Sequence, residues 1–122
     1  MEPSTAFVSH LECSRTGERF EPGKAHNVSS AGWPLLVRYD IGSLRQRWDR
    51  DSLAHGPPTM WRYAPLLLVR FTKLIVSQHE GFTPMHSLRR LGEGLECDDL
   101  WLKDEGVNPT GTFKARGLSC AV

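Results

Sequence analysis

Between residues 100 and 117 a strand, a loop of turn-forming residues and a helix-opening lysine follow one another directly. No other part of the chain restricts its fold as much. Leu100-Trp-Leu-Lys-Asp104 reads as a strand, and Gly106 to Gly111 is a loop rich in Asn, Pro, Thr and Gly. Thr110 or Thr112 can cap a helix that carries Phe113, Lys114, Leu118 and Cys120. That helix has made barely two turns when the sequence reaches Val122. Its last residues, Leu118 to Val122, include no Gly, Asn or basic side chain to stop it, which suggests a fragment or a truncated reading frame.

A lysine delivered by a loop into the first turn of a helix is a good way to make a nucleophilic amine. The positive end of the backbone dipole and the nearby Arg116 both disfavour the ammonium, and burial of the loop would add to this. A neutral amine can condense with an aldehyde and can also carry protons. The ordinary alternative is a solvated lysine on an amphipathic helix, and spacing alone does not exclude it.

The rest of the chain is compatible with a soluble enzyme domain. Its 122 residues, 39% hydrophobic and 24% charged, fall in the globular range, and a net charge of +1 gives no reason to expect nucleic acid or an acidic membrane as partner. Cys13, Cys97 and Cys120 are an odd, scattered set, a poor disulfide framework that fits a reducing cytosol. Met1 to Thr5 has no basic region followed by an apolar core, so no secretory signal is expected. The longest apolar runs, Pro65 to Val69 and Leu74 to Val76, are interrupted by Arg70 and Lys73 and fall far short of the ~20 residues of a spanning helix. A cytoplasmic location is the expectation.

Upstream, residues 6–21 read as a small hairpin, with Phe7, His10 and Phe20 around a turn at Thr16-Gly17. Leu35 to Tyr39 is a strand candidate, and Ser43 is the expected N-cap of a short helix through Trp48. Residues 52–59, with Gly56-Pro57-Pro58, read as a loop. Pro65 limits 61–69 to a turn of helix followed by an extended segment, and Gly81 to Pro84 is a turn.

The 100–117 run resembles the lysine-bearing segment of the β-family, or fold-type-II, pyridoxal-phosphate enzymes, and among these the threonine synthases. Those carry a Leu-Lys-Asp-Glu strand, then Asn-Pro-Thr-Gly-Ser/Thr-Phe-Lys and an Arg-Gly pair. Asn108 through Gly117 fit, with Ala115 where Asp is frequent. Gly81-Phe-Thr-Pro-Met85, followed by Leu88 and Leu91-Gly92, resembles the Gly-x-Thr-Pro-Leu turn of the same enzymes. Leu11-Glu-Cys13-x-x-Thr16-Gly17 resembles the Leu-x-Cys-x-x-Cys-Gly opening of many threonine synthases, which tips the choice away from threonine dehydratase or cysteine synthase. Thr16 departs from that opening and no later cysteine pair follows, so a four-ligand zinc ribbon is not supported and no metal is expected. Cys13, Cys97, Cys120 and His10 read as structural.

The resemblance implies an α/β fold, the amino-terminal portion of a tryptophan-synthase-β-like enzyme with an incomplete parallel sheet. Residues 1–80 would be an amino-terminal extension with a small hairpin and short helices, and 81–122 the start of the cofactor-binding domain. Lys114 would be catalytic and would hold pyridoxal 5'-phosphate. Phe113 would pack beside the pyridine ring, with ordinary core packing equally open. The activity implied is a lyase of threonine biosynthesis that converts O-phospho-L-homoserine and water to L-threonine and phosphate. Full-length members imply a homodimeric parent. No glycine-rich phosphate loop or hydroxyl for the pyridine nitrogen is found, so the chain by itself is predicted to be inactive. Cysteate synthase, threonine dehydratase or another member of the fold type is the alternative within the class. A non-catalytic interaction module is the alternative outside it.

Overall fold

The computed structural model describes residues 7–69 and 71–121. The absence of a signal in Met1 to Thr5, the break at Arg70 and the end of the last helix at Val122 lie outside the described residues. The chain divides into two compact units. The first runs to Gly56 and resumes over Trp61–Ile75, and the second takes Pro57–Met60 and begins again at Val76.

In the first unit β1 (Val8–Cys13) pairs antiparallel with β2 (Arg19–Phe20) and with β3 (Leu35–Tyr39), in the order β2-β1-β3. The hairpin forms where glycine can take a left-handed turn. Gly17 has φ 73° and its amide donates to the Cys13 carbonyl at 3.1 Å. Leu11 and Cys13, two apart on β1, point to one face and are buried, while Phe7 is buried just before the strand. The short helix follows β3 as expected, but its cap is not Ser43. α1 spans Ile41–Arg47 and is capped by Asp40, whose carboxylate accepts from the Ser43 amide at 3.0 Å and from its hydroxyl at 2.6 Å. An ionised acceptor at the positive end of the helix outcompetes a neutral hydroxyl three residues further on. Helix α2 (Arg50–Ala54), capped by Asp49, takes up part of the stretch expected to be loop. A 3-10 helix over Met60–Leu66 contains Pro65.

In the second unit β4 (Met85–Ser87) pairs antiparallel with β5 (Trp101–Lys103) around α3 (Arg89–Gly94). The return from α3 leaves no room for a side chain at Gly92, where a Cβ would run into the Cys97 carbonyl oxygen. A 3-10 turn, Glu105–Val107, and α4 (Lys114–Ala121) complete the unit. The fold is mixed α/β, as expected, but the ladders among the described residues are all antiparallel. The expected parallel sheet is not seen among them. No helix of the described residues is long and apolar enough to cross a membrane.

Candidate active site

The lysine-bearing loop is held from both ends. At its start, Asp104 donates its amide to the Pro84 carbonyl at 3.0 Å and caps the 3-10 turn through the Gly106 amide at 2.9 Å. At its end, the Thr112 hydroxyl accepts from the Lys114 amide at 3.3 Å, so Thr112 is the threonine that caps α4. Gly111, at φ 68°, makes the bend between them, with its amide on the Asn108 carbonyl at 2.7 Å.

Between these ends lies a polar hub that was not evident from the sequence. One oxygen of Glu105 accepts from the Thr83 hydroxyl at 2.6 Å and from Arg116 Nη2 at 2.7 Å. The other accepts from Asn108 Nδ2 at 2.9 Å and from Arg116 Nε at 2.8 Å. The buried Asn108 then accepts from the Gly81 amide at 2.9 Å. Arg116 above all, then Thr83 and Asn108, hold the Glu105 carboxyl down to about 2, from an ordinary 4.5. Lys103 adds a bond from its ammonium to the Thr83 carbonyl. Gly81 admits no side chain here: its φ is 86°, and a Cβ would meet the Met60 amide nitrogen at 2.7 Å and Arg116 Nη1 at 2.9 Å.

This corrects one expectation. Arg116 does not stand as free positive potential beside the lysine, because its guanidinium is paired two-pronged with Glu105. Nor do these residues bury the loop: Lys114 is exposed, and Phe113 is 65% exposed and so not packed in a core. Lys24 is paired with Glu21, Lys103 with the Thr83 carbonyl, and Lys73 lies over the Phe71 ring. Among the described residues the Lys114 ammonium has no such partner. It borders an open apolar depression of 420 Å³ formed with Phe113, Arg116, Gly117 and Leu118.

Away from this loop, Cys13 is buried, and its thiol donates to Ser29 Oγ at 3.1 Å and accepts from the Thr16 amide at 3.4 Å. Its hydrogen bonds with Ser29, then with Thr16, draw its pKa down to about 7. Glu80, only 1% exposed, accepts from the Gln78 amide at 2.8 Å and the Ser77 hydroxyl at 3.3 Å. No cluster of metal-ligating side chains occurs among the described residues.

Residues 76–122, which contain the whole hub and Lys114, match the family model for pyridoxal-phosphate dependent enzymes. Over 93% of its length the chain is 34% identical to a threonine synthase of Methanosarcina acetivorans, covering 27% of that protein. Over 90% it is 31% identical to a threonine synthase of Methanocaldococcus jannaschii, again covering 27%. A 43-residue stretch is 51% identical to a threonine synthase of Mycobacterium leprae, covering 12% of it. The chain thus spans about a quarter of the length of the first two relatives. No solved structure matches.

The family's cofactor is pyridoxal 5'-phosphate, and the residues present fit it at its aldehyde end. The unpartnered Lys114 amine can reach a carbonyl carbon without first breaking an ion pair, and the exposed Phe113 ring offers a flat apolar wall beside it.

Proposed function

We propose that this chain is the lysine-bearing part of a threonine synthase-like enzyme of fold type II, which turns O-phospho-L-homoserine and water into L-threonine and phosphate. Lys114 is the catalytic residue and Phe113 the cofactor's neighbour. The observation that carries the reading is an amine that has no partner among the described residues, set at the head of α4 by a loop anchored through Thr112 and the Glu105–Arg116 pair. Sequence similarity to three threonine synthases supports the choice within the family.

Bound pyridoxal phosphate supplies an aldehyde that condenses with an amine and a ring that draws electrons from the attached carbon. The chain's own part is narrower. Nζ of Lys114 would hold the cofactor at its aldehyde end and would carry protons to and from the substrate's α and β carbons. Phe113 keeps water from one face of the site. The parallel sheet and the grip on the two phosphates belong to parts of such an enzyme outside these residues, so the chain by itself should release no phosphate from O-phospho-L-homoserine. Turnover by the purified chain would contradict this.

Replacing the matched part of the Methanosarcina acetivorans threonine synthase by this chain tests the assignment. The chimera should form L-threonine, and Lys114→Ala should abolish both the product and the cofactor's visible absorbance. A chimera whose activity survives Lys114→Ala would end the proposal.

A further inference from the structure

We infer that Glu105 is a positioning residue for Lys114, an inference that rests on the function proposed above. It orients the first turn of α4 through Arg116, so that the lysine amine faces outward before any cofactor arrives.

The Glu105 carboxylate has room for about four hydrogen bonds. It makes four, to donors from three separate stretches: the 81–84 turn, the 108 loop and α4. Asn108 closes the ring by taking the Gly81 amide, and Arg116 Nη2 also reaches Thr83 Oγ1 at 3.4 Å. Gly81 is packed so tightly against Arg116 that the guanidinium has little freedom on that side.

Arg116 lies two residues past Lys114, and successive helical residues turn by roughly 100°. A helix whose Arg116 is fixed to one side therefore presents Lys114 roughly opposite. Gly117 and Leu118, three and four residues on from Lys114, form the open apolar depression beside it together with Phe113 and the near side of Arg116. The pairing also removes a conflict. An unpaired arginine in the first turn would repel the positive end of the helix and loosen the turn that carries the lysine. Glu105 converts that unfavourable charge into an anchor.

The test uses the full chain, pyridoxal phosphate and borohydride, with the modified lysines identified by peptide mapping. Lys24, Lys73 and Lys103 serve as internal controls. Wild type should label Lys114 preferentially. Glu105→Gln keeps size but weakens the charge-assisted bonds, and should lower that preference roughly threefold to tenfold. Arg116→Lys keeps the charge but cannot span both oxygens, and should do the same. Thr83→Ser keeps the hydroxyl and should behave as wild type.

Amide exchange of β4 and β5 reports whether each variant retains the fold. Unchanged selectivity in a folded Glu105→Gln or Arg116→Lys chain overturns the positioning role alone. If both variants lose β4–β5 protection, Glu105 holds the fold rather than the lysine, and the inference also fails. Indiscriminate labelling of wild type would sink the proposed function and the positioning role together.

Discussion

At the scale of single residues, the second unit depends on positions where one atom decides the geometry. Gly81 combines a left-handed backbone with contacts that a methyl group would violate. Gly81→Ala should therefore destabilise this unit by about 1–3 kcal/mol and disturb Arg116, as read by denaturant unfolding. Glu105 gives the unit an acid-sensitive contribution. Its carboxyl is lowered from 4.5 to about 2, so the stabilisation is present above about 4.5 and is lost as the pH falls from there toward 2. Unfolding of wild type should ease over that window, and Glu105→Gln should flatten the dependence. In the first unit, Ser29→Ala should raise the Cys13 thiol from about 7 toward its ordinary 9. Thiolate absorbance in a chain whose other two cysteines are serine measures this, and an unmoved titration would show that Ser29 is not the cause.

At the scale of elements, capping decides where the short helices begin. α1 has no buried side chain, so it relies on its ends more than on a core. Asp40→Ala should speed amide exchange in α1 severalfold while β1 and β3 stay protected. Equal acceleration in the strands would mean that the helix and sheet unfold together. Ser43 was the natural choice from pattern alone, since a serine before Leu44 and Trp48 looks like a helix start. It serves instead as a donor to Asp40, because a carboxylate can take both its amide and its hydroxyl. The hairpin at Gly17, the strand 35–39 and the Thr112 cap are all local features, and all were legible.

At the scale of the whole molecule, the second unit leaves large apolar side chains in water, among them Leu91, Leu95, Trp101, Phe113 and Leu118. The isolated chain should bind a hydrophobic dye and associate as concentration rises. Leu118→Glu should reduce both effects, and a monomer that ignores the dye at all concentrations would contradict this. Every strand residue of β4 and β5 is exposed, so this two-stranded ladder draws little stability from burial.

From sequence alone came the loop before Lys114, the cap and the turn at 81–84, because each follows from the short-range preferences of a few neighbouring residues, whereas the choice of Lys114 rested on a family resemblance. Sequence could not tell that Thr83, Glu105, Asn108 and Arg116 share one carboxylate, since hydrogen bonds spanning up to 33 positions have no periodic signature. For that reason Arg116 looked like a charge acting on Lys114. Only the tertiary structure showed it paired with Glu105 and neutralised, because a half-buried guanidinium takes the acceptor that satisfies its fork.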